Sequence, residues 1–193
     1  MNLSRTPMPA IATDRAWTGL VLAGGRSSRM GRDKAALVWH GKSLLRHMID
    51  MLCLAGAARV VVSGDYPEYG GIPDVEHDLG PLGGLASVAA VLPDGPLLVV
   101  PVDMPMLSVD ALRRLVATGA RCACFHGHML PLRLQLDSRV RDWLATALRL
   151  PQAGRSLHAL HAAQGGIQLA LPDGAASWLC NLNTPEQWRE AAG

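Results

Sequence analysis

The chain predicts an α/β fold built on a largely parallel sheet, and three features carry that expectation. Short apolar runs recur at residues 18–22, 59–63 and 97–101, each of a length that suits a buried strand. Stretches with apolar residues at helical spacing lie between them. The first run also leads straight into Gly24 and Gly25, as a strand does when it ends in a glycine-rich loop. Alternation of strand and helix favours parallel strands joined by helical crossovers.

Taken in order, Thr18–Leu22 forms the first expected strand. Residues 43–55 place Leu44, Leu45, Met48, Met51 and Leu52 on one helical face, and Gly56 follows where a C-terminal glycine belongs. Val60, Val61 and Val62 mark a second strand over 59–63, and residues 72–75 a short third one. A helix is expected over 85–92 and a fourth strand over 97–101. Residues 108–118 then read as a helix with Leu112 and Leu115 inside and Arg113 and Arg114 outside. Further on, 121–126 and 129–134 suit strands, 139–149 and 156–163 helices, and 167–171 a last strand. Thr184-Pro185-Glu186-Gln187 combines an N-cap, a proline in the first turn and a glutamine three residues after the cap. Residues 1–16 read as an N-terminal extension ahead of a domain over 17–193.

Composition narrows the function. The 193 residues are 49% hydrophobic but only 4% aromatic, so Leu, Val, Ala and Met must build the core. A formal charge of +2 without a basic block argues against nucleic-acid binding through a general field. A few placed Arg and Lys residues can still hold a small phosphorylated substrate. No apolar run is long enough to span a bilayer, and residues 1–16 have no sustained apolar stretch, so a cytoplasmic location is expected. Cys53, Cys122, Cys124 and Cys180 form neither a disulfide framework nor a zinc motif. They read as small buried core residues in a reducing compartment. His126 and His128 fit one face of a strand, yet no third ligand lies at a recognised spacing, which argues against zinc. His158 and His161 share an expected helix face and read as packed or solvated.

The stretch Leu22-Ala-Gly-Gly-Arg-Ser-Ser-Arg-Met-Gly-Arg-Asp-Lys34 holds the main chemical signal. Its glycines let the backbone approach a ligand closely, and its amides are expected to donate to phosphate oxygens or a base edge. Arg29 and Lys34 add charge that can bind a triphosphate and stabilise a pyrophosphate leaving group. It is neither a P-loop nor a G-x-G-x-x-G dinucleotide motif. Asp103 follows the apolar run at 97–100, which places a hard carboxylate at the carboxyl edge of a central strand, where open α/β sheets bind ligands. Such a group suits Mg²⁺; otherwise it would merely open a turn before Pro105.

These motifs together resemble the molybdenum cofactor guanylyltransferase (MobA-type) family of nucleotidyltransferases. The resemblance rests on the glycine-rich signature, Gly80-Pro-Leu-Gly-Gly84, Val102-Asp-Met-Pro105 and Asn181-Leu-Asn-Thr-Pro185 in that order. It implies a single-domain, Rossmann-like (GT-A-like) three-layer sandwich with a mostly parallel central sheet. It also implies transfer of GMP from Mg²⁺-bound GTP to molybdopterin or its molybdenum form. Catalytic roles fall on Lys34, Arg29 and Asp103, with Asp103 as metal ligand. Leu22, Ala23, Gly24, Gly25, Lys34, Ser63, Asp74, Gly80, Pro81, Leu82, Gly83 and Asp103 fall on the nucleotide side. Ser63 stands where family members often have asparagine. Arg155, Asn181 and Asn183 fall on the acceptor side, although Arg155 reads nearly as well as a surface charge and the asparagines can organise a turn. Carrier proteins of the cofactor and recipient molybdoenzymes are the transient partners implied. Competing readings are a cytidylyltransferase, a non-catalytic nucleotide-binding protein of the same fold and, less closely, a sugar-phosphate nucleotidyltransferase. Leu-Ala-Gly-Gly rather than Leu-Ala-Ala-Gly at the first motif favours GTP over CTP.

Overall fold

The structure is a computed structural model and describes residues 16–24, 33–75, 79–151, 155–171, 174–182, 184, 187, 188 and 190. Residues 1–15 of the expected extension lie outside that set, as do Gly25, Arg29 and Asn183.

A six-stranded sheet of order β4-β1-β5-β7-β6-β8 organises the chain. It comprises β1 (Thr18–Leu22), β4 (Arg59–Ser63), β5 (Gly95–Pro101), β6 (Cys122–Phe125), β7 (His128–Leu136) and β8 (Ile167–Leu169). β1 pairs in parallel with both β4 and β5, and β6 with β8. β7 alone runs the other way, antiparallel to β5 and β6. A separate hairpin of β2 (Val38–Trp39) and β3 (Lys42–Ser43) precedes the first α-helix.

Two apolar clusters lie on opposite faces of this sheet, giving three layers. One packs α1 (Leu44–Ala55) and α3 (Val109–Ala117) against Val21, Leu98, Val100 and Phe125. The other packs α2 (Gly80–Val91), α4 (Ser138–Ala147) and α5 (Leu157–Ala163) against Leu20, Val99, Leu132 and Leu134. The alternation along each strand decides which residue meets which layer. Helix ends are closed by local chemistry. Ser43, Ser108, Asp137 and Ser156 accept from the first-turn amides of α1, α3, α4 and α5. Gly56 ends α1 in the left-handed conformation, with φ 104°. Thr184 and Gln187 form the reciprocal capping box, at 3.1 and 3.3 Å. Arg141 of α4 donates to the carbonyls of Ala89 and Leu92, 2.9 and 2.7 Å away, and so holds the end of α2.

Several sequence expectations are corrected. The strand expected at 72–75 is a single bridge from Ile72 to Ser63; Pro73 has no N–H to continue a ladder. The helix expected from residue 85 begins at Gly80, with Pro81 in its first turn. His126 lies in the turn between β6 and β7 while His128 begins β7, so the two do not share a strand face. His161 is buried with Nε2 3.1 Å from the Ile167 carbonyl, and His158 is exposed. Cys122 and Cys124 are buried, but Cys53 and Cys180 are exposed. Cys53 falls on the outer side of α1, between the inward positions Leu52 and Ala55. Among the described residues no helix is long and apolar enough to cross a membrane.

Candidate active site

A cleft of about 280 Å³ opens at the carboxyl edge of β1 and β5. The adjacent parallel strands β1 and β5 bring their ends together there, and the Val102 amide donates to the Leu22 carbonyl at 3.0 Å. Of the residues singled out from sequence, Leu22, Ala23, Gly24, Lys34, Gly80, Pro81, Asp103 and Asn181 line it. Pro101, Val102 and Leu130 complete the wall. Val102 opens the Val102–Pro105 motif but was given no role of its own, and Leu130 arrives from a strand more than a hundred residues after β1, so local pattern could not find it.

Lys34 sits in a short 3₁₀ turn, Lys34–Ala36, capped by the Asp33 carboxylate, which accepts from the Ala35 amide at 3.0 Å. Its ammonium donates to Asp103 Oδ2 at 2.9 Å, and each side chain is 18% exposed. A partly desolvated charge pair therefore marks the cleft. The Asp103 carbonyl in turn accepts from the Leu182 amide at 2.9 Å. That bond places Asn181 beside the aspartate and joins the C-terminal segment to the β5 edge. His47 of α1 lies 2.8 Å from the Pro105 carbonyl and braces the same turn.

The glycines act mainly by leaving room. A Cβ on Gly24 would stand 2.8 Å from Asp74 Oδ2. One on Gly84 would overlap Ser63 Oγ and meet Asp74 Oδ1 at 3.3 Å. Asp74 and the buried Ser63 are thus packed directly behind the first loop and the first turns of α2. One sequence expectation changes here: the amides of Ala23 and Gly24 both donate to the Ser63 carbonyl, at 3.1 and 2.9 Å. Those two amides hold the loop to β4 and are not directed at a ligand. Leu82 belongs to the core beneath α2, the Gly83 carbonyl accepts from Ser87, and neither is among the described residues lining the cleft. Arg155 lies just before α5 and is not among the described lining residues. Among the described residues no group of three or more His, Cys, Asp or Glu side chains is arranged to hold a metal.

Residues 19–166 match the MobA-like NTP transferase domain. The chain is 52% identical over 176 residues to the molybdenum cofactor guanylyltransferase of Xanthomonas euvesicatoria pv. vesicatoria, covering 90% of this chain and 93% of the relative. Among solved structures, the molybdopterin-guanine dinucleotide biosynthesis protein A of Archaeoglobus fulgidus aligns with a TM-score of 0.70 at 19% identity, over 91% and 96% of the two chains. A Mycobacterium tuberculosis protein crystallised in complex with manganese aligns with a TM-score of 0.61 at 20% identity, over 92% and 98%. With the strand-edge cleft, the Lys34–Asp103 pair and a match over most of its length, the chain belongs to the MobA-like NTP transferase family and is a nucleotidyltransferase.

Proposed function

We propose that the chain is a molybdenum cofactor guanylyltransferase, which moves GMP from Mg²⁺-bound GTP to the terminal phosphate of molybdopterin or its molybdenum form. The observation that carries this reading is Lys34 held 2.9 Å from Asp103 at the strand-edge cleft. It sets a phosphate-binding cation beside an oxygen ligand. The substrate class comes from the Xanthomonas relative, at 52% identity.

In the reaction, an oxygen of the acceptor phosphate attacks the α-phosphorus of GTP. The new P–O bond forms as the bond from the α-phosphorus to the bridging oxygen breaks, and the electron pair leaves with pyrophosphate. The attacking phosphate is already anionic, so no protein nucleophile or strong base is needed. Catalysis rests on alignment and neutralisation of charge. Asp103 presents a hard carboxylate in a cleft open to substrate, and this group would hold Mg²⁺, a cation that prefers oxygen ligands. When bound, the ion supplies Lewis-acid neutralisation of the triphosphate. Lys34 brings the protein's own charge to the departing pyrophosphate, a role the sequence also assigns to Arg29.

Asp74 is assigned to the guanine or ribose by the resemblance, although its carboxylate packs behind Gly24 and Gly84 and is not among the described residues lining the cleft. An ionised carboxylate only accepts hydrogen bonds, and guanine presents adjacent ring and amino N–H donors, whereas cytosine presents one amino group. Asn181 lines the cleft and, with both donor and acceptor atoms, is assigned to the acceptor, as are Arg155 and Asn183. The test is Mg²⁺-dependent binding of GTP, CTP, ATP and UTP to wild type and Asp103→Ala. Selective GTP binding that the substitution weakens is expected. Selective CTP binding would transfer the assignment to cytidylyl transfer, and binding of no triphosphate would remove the enzymatic reading.

A further inference from the structure

The eight residues after β4 fold into a tight platform whose centre is Tyr66. Its carbonyl accepts from the Tyr69 and Gly71 amides at 3.0 and 2.9 Å, and its amide donates to the Gly64 carbonyl at 3.0 Å. The Gly64 amide closes the platform on the Ile72 carbonyl at 2.8 Å. The Tyr66 ring lies so close over Gly64 that a Cβ there would meet it at 2.8 Å. Backbone and ring are thus both held in place.

From this platform the Tyr66 hydroxyl reaches Asp33 Oδ1 at 2.9 Å and the Ala23 carbonyl at 3.3 Å. Its single proton is shared between two acceptors, with the shorter bond to the carboxylate. Residues 23 and 33 lie near the two ends of the glycine-rich signature, one residue in from Leu22 and Lys34. The same Asp33 oxygen caps the turn that carries Lys34, and Lys34 reaches Asp103. A continuous set of contacts therefore runs from the β4 platform through Tyr66, Asp33 and Lys34 to the cleft. Burial, and then the neighbouring Asp33 carboxylate, push the phenol well above its ordinary range, so it stays a donor at any working pH.

We propose that Tyr66 is a positioning residue for the triphosphate site: by tying Ala23 and Asp33 to the β4 platform it fixes the place from which Lys34 meets the phosphates. This rests on the nucleotide-binding reading of Lys34 given above. Tyr66 is not among the described residues lining the cleft, so it acts through Asp33 and Lys34.

The test is a double-mutant cycle read by Mg²⁺-GTP binding calorimetry and thermal melting. Tyr66→Phe keeps the ring and removes only the hydroxyl. It should weaken binding about tenfold, as loss of a hydrogen bond to a charged group does. In a Lys34→Ala background the same change should alter binding by less than about twofold, because the two act as one unit. Asp33→Asn retains a cap but weakens the bond, and should give a smaller loss that also disappears without Lys34. A general structural defect would instead multiply the losses in the double variant, and that outcome would overturn the proposal. Wild-type affinity in Tyr66→Phe would overturn it too, while leaving the nucleotide site standing. If wild type itself fails to bind Mg²⁺-GTP, the nucleotide-site reading falls, and the positioning role falls with it.

Discussion

Gly84→Ala sets two known effects against each other at one α-carbon. In an unobstructed helix interior the change stabilises by about 0.8–1.0 kcal/mol. Here the new methyl would overlap Ser63 Oγ and stand 3.3 Å from both Asp74 Oδ1 and Leu22 Cδ2. Rotation of Ser63 relieves only one of these contacts, and Ser63 is 1% exposed, with little space to turn into. Overpacking of a close-packed interior costs about 1–3 kcal/mol. Taking about 2 kcal/mol for three contacts leaves a net loss of about 1 kcal/mol after the helix gain. For a chain of this size that lowers the melting temperature by roughly 2–4 °C. Scanning calorimetry measures it, and Mg²⁺-GTP titration of the same protein should show weaker binding as α2, Ser63 and Asp74 are pushed apart. Adding Ser63→Ala removes the overlapping hydroxyl and should restore most of the lost stability. A Gly84→Ala protein that melts at or above wild type and binds GTP normally would refute the claim that this approach is tight.

Three other predictions are independent of that one. Lys34→Ala should lower turnover by about 10²-fold or more, the usual loss for a group that stabilises transition-state charge, yet shift melting by no more than a few degrees; pyrophosphate release and calorimetry read the two. Asp137→Ala should cost about 1 kcal/mol or somewhat more through loss of the α4 cap, whereas Asp137→Asn should keep the cap and lose only the ion pair with Arg121, 2.9 Å long. Burial opposes ionisation of Asp137, but the hydrogen bonds from Arg121 and the Val140 amide, with the charges of Arg121 and Arg139, hold its carboxyl below the usual value. That stabilisation is full above the unfolded value of about 3.9 and is lost as pH falls through the lower folded value. Melting followed from pH 7 to pH 3 should therefore show the advantage over Asp137→Asn shrinking below about pH 4. Finally, burial first and then Cys124 push the Cys122 thiol up to about 12, and burial raises Cys124 as well. Iodoacetamide should thus label Cys53 and Cys180 in the native protein, and all four cysteines only after unfolding.

What could be read from the sequence was what neighbouring residues decide. β1 and β4 occupy the expected 18–22 and 59–63, because a short β-branched or apolar run that ends beside a glycine has few other ways to be buried. The C-terminal capping box was legible for the same reason. Contacts across long separations were not. Nothing near Lys34 indicated that its partner would be Asp103, 69 residues away, or that Tyr66 would reach back to Asp33. The amides of Ala23 and Gly24 were misread because the Ser63 carbonyl that engages them belongs to the neighbouring strand, and strand order is a property of the sheet. The β2–β3 hairpin escaped notice because two-residue strands leave no periodicity to detect.

The reversal of β7 has a consequence for how the cleft wall can change. In a wholly parallel sheet every strand delivers its own outgoing loop at the carboxyl edge, where the loops compete for space above the cleft. Here β6 and β7 share one tight turn at His126 and Gly127, and the wall is set by the opening residues of β7, with Leu130 facing the cleft. The register of β7 on β5 is fixed by five paired positions from Gly95↔Leu136 to Val99↔Leu132, all deeper in the sheet. Residues inserted at 126–127 would therefore raise or reshape the wall without shifting any of those pairs. This turn is a natural graft point for reshaping that side of the cleft while the pairing of β7 with β5 stays as it is.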